Sequence, residues 1–326
     1  MSSEQLAPDD EMTLAETLPQ ADASALVDRD VLEAQVKDMY RHVAREEQAQ
    51  LHFAVGRELA LRLGYPGDLL DAIPAEAVTS FAGVGYHLDL AALAPGDRVL
   101  DLGSGSGTDV FCAALQVGET GRVTGVDFTD EQIGKATRLR DRDGFAQVEF
   151  IEASIDSLPF EDAAFDVVIS NGVVNLSPVK HRVFAEAARL LRPGGTLALA
   201  DIVSGRALKE RTRRNVELWA ACIAGAIPRR SYLDTIEAAG FRIKEVRTND
   251  YNFISERALD ACSTYGVESI SLTAIRGDIE PSPESRHGPE SRRAQLIAAA
   301  RSGTHSPAAQ QPRSTNLTRV AFLMAR

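Results

Sequence analysis

The sequence predicts an α/β fold in which a largely parallel sheet carries helices on both faces. Three observations lead there. Strand-like and helix-like segments alternate from residue 97 to 276, the pattern that builds such sheets. Residues 98–107, Arg-Val-Leu-Asp-Leu-Gly-Ser-Gly-Ser-Gly, carry an apolar strand into a glycine-rich turn, followed by a helix from Thr108 to Val117. A second short apolar segment ends in the acid Asp127, about 20 residues beyond the glycines, where a βαβ unit sets a carboxylate on ribose hydroxyls.

The elements follow in order. Residues 1–30 hold eight acids and one base, Arg29, with prolines and small polar residues, and are expected to form a disordered acidic arm. Over 31–64, Leu32, Val36, Met39 and Val43, then Leu51, Val55, Leu59 and Leu63, step by three or four residues, which predicts amphipathic helices. Tyr65-Pro66-Gly67 breaks that pattern, and 68–92 reads as short helices or loop. Residues 31–96 thus form an N-terminal helical cap or lid. Strands are predicted at 98–102, 122–126, 147–151, 165–170, 196–201, 241–248 and 267–275, with helices at 129–140, 179–191 and 231–239 among those between them. The nearly continuous apolar run at 165–170 marks a buried central strand. Arg192-Pro193-Gly194-Gly195 predicts a tight turn, because Pro193 stops the preceding helix. Residues 277–326, rich in Pro, Ser, Gly and Arg, are expected to be a disordered tail.

Composition excludes several classes. With 35 Lys+Arg against 47 Asp+Glu in 326 residues, the net charge is −12, which disfavours nucleic acid and anionic membrane surfaces as partners. No run of 18 apolar residues and no basic-then-apolar start occurs, so neither a membrane span nor a secretory signal is expected. Cys112, Cys222 and Cys262 are widely spaced and the histidines are scattered. That suits a reducing cytoplasm and argues against a disulfide framework or a metal site. Oligomeric state is not legible.

The glycine spacing selects the ligand. A dinucleotide fingerprint would need its third glycine at 108, where Thr108 stands. Gly103, Gly105 and Gly107 after the acid Asp101 instead resemble the turn of class I S-adenosylmethionine (SAM) methyltransferases. The resemblance covers about 97–276. It implies a Rossmann-like seven-stranded sheet whose last strand is antiparallel, with SAM as cofactor. It also implies that Asp101, Gly103, Ser104, Gly105 and Gly107 border the methionine part, that Asp127 holds the ribose and that Phe128 lies against adenine. Helix capping at 129–131 falls to Thr129 or Asp130, which leaves Asp127 free. Ser154 and Ile155 would flank the adenine ring; the family usually has an acid near 154, so here a backbone N–H at Ile155 is the expected donor.

Within that superfamily the chain resembles the arsenite methyltransferases. The shared stretches are 99–107, 125–131, 169–178 (Ile-Ser-Asn-Gly-Val-Val-Asn-Leu-Ser-Pro) and 218–226 (Leu-Trp-Ala-Ala-Cys-Ile-Ala-Gly-Ala). Members of that group hold trivalent arsenic with cysteine thiolates. The family pattern has one cysteine after Ser-Asn, where this chain has Gly172. It has another in a Gly-Cys-Gly segment, where residues 80–86 read Ser-Phe-Ala-Gly-Val-Gly-Tyr. Cys222 alone remains, since Cys112 is expected in the core and Cys262 lies outside the shared stretches. The expected function is therefore methyl transfer from SAM to a small organic molecule. The alternatives are an arsenite methyltransferase with a reduced thiol set and a SAM-binding protein without methyl transfer.

Methyl transfer needs an oriented nucleophile, excluded water and, for some acceptors, a base. Candidates for these roles are His87, Asn171 and Asn175; Asn171 is also a candidate for cofactor contact. Tyr40, Tyr86, Gly172, Trp219 and Cys222 are candidates for the substrate pocket, Tyr40 as part of a lid helix. His181 is expected to be solvated.

Overall fold

The computed structural model describes residues 21–45, 53–220 and 222–277. Among them are seven strands in one sheet: β1 (Arg98–Leu102), β2 (Arg122–Asp127), β3 (Val148–Glu152), β4 (Phe165–Asn171), β5 (Leu191–Val203), β6 (Phe241–Thr248) and β7 (Glu268–Arg276). Their order is β3-β2-β1-β4-β5-β7-β6, and β7 runs antiparallel to both of its neighbours. The antiparallel last strand is the one the resemblance implied. Chain direction reverses its march across the sheet between β1 and β4, and such a switch point opens a crevice at the strands' carboxyl ends. The register brings those ends level. Asp101 lies opposite both Gly125 and Ile169, Asp127 opposite Glu152, and Asn171 opposite Ala200.

Apolar residues alternate along the inner strands and feed two cores, one on each face. Val99 and Ile169 join Phe111, Ala136 and Leu139 on one side, together with Leu59, Leu70 and Phe81 from the segment before β1. Leu100 and Val168 join Val183, Phe184, Tyr232 and Ile236 on the other. A third cluster packs Leu32 and Val36 of the helix Arg29–Ala44 against Trp219, Ile223 and Ala258. Each such aliphatic side chain contributes about 1.5–3 kcal/mol when fully buried, which is enough to seat this helix over the crevice.

Several expectations are corrected. The arm predicted as disordered over 1–30 is ordered from residue 21: Ala21, Ala23 and Val27 are buried, and Asp22 bridges to Val179. The Asp28 side chain caps the helix Arg29–Ala44 by accepting from Val31 N at 3.1 Å. Small apolar residues between the acids give this stretch its footing, and composition averaged over 30 residues concealed them. Residues 1–20 and 278–326 lie outside the described residues, as does Leu51. Val55 is not helical, and the helix Arg57–Arg62 starts only after Gly56. Residues 192–195 do not form a free turn; they make an irregularity within β5, where Leu191 pairs with Phe165 and Thr196 with Val167. The helix Glu256–Tyr265, capped by Ser255, was not foreseen.

Candidate cofactor cavity

The crevice holds a cavity lined by Asp101, Gly103, Ser104 and Gly105 from the β1 turn and by Asp127 and Phe128 after β2. Ser154 and Ile155 after β3, Asn171 after β4, and Tyr40 from the covering helix complete the predicted set. Gly107 is not part of the lining. A Cβ there would meet Phe150 Cζ at 2.7 Å and Phe111 Cε2 at 2.9 Å, so this glycine lets the helix Thr108–Val117 pack closely on the sheet. Gly103, with φ of +77°, leaves no room for a side chain either, because a Cβ would lie 2.4 Å from Val173 Cγ2.

Asp127 is engaged, contrary to the expectation that capping elsewhere leaves it free. Its Oδ2 accepts from Gly105 N at 3.0 Å and its Oδ1 from Thr129 N at 2.8 Å. Thr129 stands at the helix N-cap without a side-chain capping bond. These bonds fix the carboxylate, and each oxygen keeps a lone pair for a further donor. Burial raises the Asp127 pKa, and the backbone donors pull against it. Asp101 differs: among the described residues its carboxyl has no hydrogen-bond partner, although only 2% of the residue is exposed. Burial, then the Asp109 and Asp127 carboxyls, push its pKa well above the usual range. A buried carboxyl facing a cavity without a donor suits a cationic group such as the α-ammonium of SAM.

Two residues the sequence reading missed close the far end. Asp156 lines the cavity and accepts from Ser154 Oγ at 2.6 Å and from Arg29 at 2.9 and 3.1 Å. Burial would raise its pKa, but the Arg29 guanidinium and Ser154 hydroxyl outweigh that and hold it low. Asp156 is thus a cavity-lining acid two positions after Ser154, where the family pattern has an acid near 154. Arg29 was hidden inside the segment read as an acidic arm.

Asn171 is committed to structure. Its Nδ2 donates to Gly85 O, Asp109 Oδ2 and Tyr65 Oη at 3.0, 3.0 and 3.1 Å, and its Oδ1 accepts from Val84 N at 2.8 Å. It pins the 83–85 segment to the sheet. Asn175 is fully buried and away from the cavity; its Nδ2 donates to Cys222 O at 2.7 Å. His87 also lies off the cavity, fully buried, with its pKa lowered chiefly by burial. His181, expected to be solvated, is the second residue of the helix Lys180–Leu190 and is half-buried, its Nδ1 shielded from solvent by packing. The Tyr86 ring packs tilted against Tyr65, with centroids 4.6 Å apart, and burial pushes its pKa up to about 12. A catalytic base at His87, a catalytic contact at Asn175 and a substrate contact at Tyr86 are therefore not what the geometry brings together. Each polar group is spent or enclosed in packing, which local sequence does not reveal.

Next to Tyr40, a packed core cluster holds two other candidate substrate residues, Trp219 and Cys222. Cys222 Sγ is 3.9 Å from Tyr40 Oη and 4.0 Å from Gly172 O. A Cβ built on Gly172 would lie 3.3 Å from Val84 Cγ1. Gly172, Val84 and Cys222, far apart in sequence, thus surround one spot, with Trp219 buried in the same cluster. Cys222 has φ of +62°, a left-handed conformation unusual for a side-chain-bearing residue. Burial pushes its thiol up to about 12, and the Tyr40 phenol likewise lies well above its ordinary value. Both are proton donors at neutral pH. Among the described residues no group of three or more His, Cys, Asp and Glu could hold a metal, and no helix is long and apolar enough to cross a membrane.

Known proteins resemble this chain in sequence and fold. A methyltransferase-domain family model matches residues 93–253. An arsenite methyltransferase of Halobacterium salinarum is 40% identical over 214 residues, covering 65% of this chain and 54% of that protein. Its counterpart in Aquipseudomonas alcaligenes is 43% identical over 166 residues, covering 49% and 47%. The chain therefore spans about half the length of the curated relatives it matches. The crystal structure of an arsenic(III) SAM methyltransferase from Chlamydomonas reinhardtii matches with 32% identity and a TM-score of 0.52, over 69% of this chain and 75% of that one.

Proposed function

Because the chain belongs to the class I SAM-dependent methyltransferases, close to the arsenite methyltransferases, we propose that it methylates a small organic molecule instead of trivalent arsenic. The observation that carries this reading is the spot where Gly172, Val84 and Cys222 converge. Val84 sits between Gly83 and Gly85, in the segment where the family pattern has Gly-Cys-Gly. With Gly172 at the second thiol position, one sulfur remains where a metalloid site needs several acting together.

The cofactor supplies an electrophilic sulfonium methyl. Asp127 would hold the ribose hydroxyls and Asp101 the α-ammonium. The Gly103–Gly105 backbone would border the methionine part, and Phe128, the Ile155 N–H and Asp156 would hold adenine. At the acceptor end Tyr40 and Cys222, both protonated, would donate hydrogen bonds and orient an acceptor without acting as bases. Val84 and Leu176 would wall it with apolar surface and exclude water. The free thiols and the acidic balance fit a cytoplasmic enzyme with a small-molecule partner.

The identity to arsenite methyltransferases favours a second reading, arsenite methylation through Cys222 alone. Purified protein with SAM, excess small thiol and arsenite separates the two. The proposal expects no arsenite-dependent S-adenosylhomocysteine (SAH), and steady methylarsenite formation would promote the second reading.

A further inference from the structure

Lys180 opens the helix Lys180–Leu190, a position that is usually solvated, yet it is 2% exposed. Its Nζ donates to the carbonyls of Asn175 and Ser177, each at 2.9 Å, and lies 5.0 Å from the centre of the Trp219 ring. Asp201 grips the same loop from behind. Its Oδ2 accepts from Asn175 N at 2.8 Å and from Tyr232 Oη at 2.6 Å, while Oδ1 accepts from Ile202 N at 2.8 Å. The gripped loop is a wall of the cofactor cavity, to which it contributes Val173, Leu176, Ser177 and Pro178. Neither Lys180 nor Asp201 takes part in the transfer proposed above.

We propose that Lys180 is a positioning residue whose ammonium holds the 173–178 wall in place, so that losing its proton loosens the wall and weakens cofactor binding. The inference rests on the methyltransferase reading. An ammonium has three donors, enough for both carbonyls with a positive charge left over the Trp219 face; a neutral amine has two, and no cation–π attraction. Charge-assisted hydrogen bonds are also the stronger kind. The charged groups facing Lys180 are Asp201, which favours its proton, and Arg213, which opposes it and is itself favoured by Glu210. Tyr232 and Cys222 face Asp201. Burial dominates at both ends of the pair, lowering Lys180 and raising Asp201 toward neutrality. The grip therefore changes close to neutral pH.

Trp219 is the only tryptophan in the chain, so its fluorescence reads the charge above its ring. The test follows that emission, and SAH affinity by calorimetry, from about pH 6 to about pH 8.5 in the wild-type chain and in Lys180→Arg, whose charge persists. Titration of Asp101, of Asp127 and of the SAH amine is common to both proteins, so the ratio of their affinities isolates Lys180. Expected is an emission transition near neutrality in the wild type that is absent in Lys180→Arg. The affinity ratio should shift by about threefold or more in favour of the arginine variant as pH rises. A constant ratio, or a transition that survives in Lys180→Arg, overturns the inference. If the bulkier arginine unfolds the chain, Asp201→Asn carries the test: both wild-type transitions should move to lower pH, and unmoved transitions overturn it. SAH that fails to bind the wild type at any pH sinks the methyltransferase reading itself, and the inference with it.

Discussion

Asp127 and His87 show how far single residues can be read. Asp127 ends β2 with both oxygens already accepting backbone N–H groups, so its carboxylate is pre-oriented. Losing a charged hydrogen bond to a buried partner costs about 1.5–3 kcal/mol, roughly tenfold or more in affinity. Asp127→Asn should therefore weaken SAM binding by about that factor in calorimetry; unchanged affinity in a folded variant would remove the ribose assignment. That Asp101, Gly103, Gly105 and Asp127 meet at one cavity was legible because strand ends and a turn written in consecutive residues set their places. His87, Asn171 and Asn175 were not, because whether an imidazole or amide is free depends on distant partners such as Asp109, Gly85 and Cys222. Burial holds His87 below its ordinary pKa. The unfolded chain then binds more protons as pH drops below about 6.5, so the folded state loses stability there and regains it as pH rises. His87→Met lacks this penalty. Melting temperatures measured at about pH 7 and about pH 5 should show the variant gaining on the wild type at the lower pH, and a constant gap would contradict a buried neutral imidazole.

At the scale of elements, the helix Arg29–Ala44 is the piece that makes the crevice a cavity. It contributes Arg29, Leu32, Glu33, Val36 and Tyr40 to the lining and is tied near its start by Arg29 to Asp156. The Arg29 side chain is 43% exposed, so the tie contributes modestly, about 0.2–1 kcal/mol for pairs of this kind. Arg29→Ala should accelerate SAH release up to about fivefold in stopped-flow chase, less so at high salt. In an Asp156→Asn background the same substitution should do nothing further. An equal effect in both backgrounds would mean that Arg29 acts by some route other than this pair. The element's existence was written in its apolar spacing, but its start was not, since Asp28 caps it within a stretch whose average composition reads as disordered. The same limit applies to 192–195, where Pro-Gly-Gly signals a break in local geometry. The strand nevertheless resumes its pairing with β4 at Thr196, because the sheet supplies hydrogen bonds that a turn would forgo.

The convergence proposed as the acceptor site exists only at the scale of the whole molecule. Val84 comes from the segment before β1, Gly172 from the end of β4 and Cys222 from the insertion after β5, and the sheet order brings them to one spot. The sequence showed that two thiol positions were empty, whereas their convergence on Cys222 and Tyr40 needed the fold. The history of this site can be tested by refilling it. Gly172→Cys alone places a side chain at φ of +73°, 3.3 Å from Val84 Cγ1, at a cost on the order of 1–2 kcal/mol for the left-handed backbone. It also leaves at most two sulfurs near the spot. Val84→Cys removes one branch of the valine and so relieves the crowding around Gly172. The double variant would bring three thiols to the spot where Val84, Gly172 and Cys222 converge, and thiolates acting together select a soft metalloid. Arsenite titrated into the double variant should therefore change the fluorescence of Trp219 at concentrations where the wild type and both single variants stay silent. The change should be lost again in the triple variant that adds Cys222→Ser. A response from the wild type equal to that of the double variant would mean that one thiol suffices, and the proposed acceptor site would have to be reassigned to arsenic.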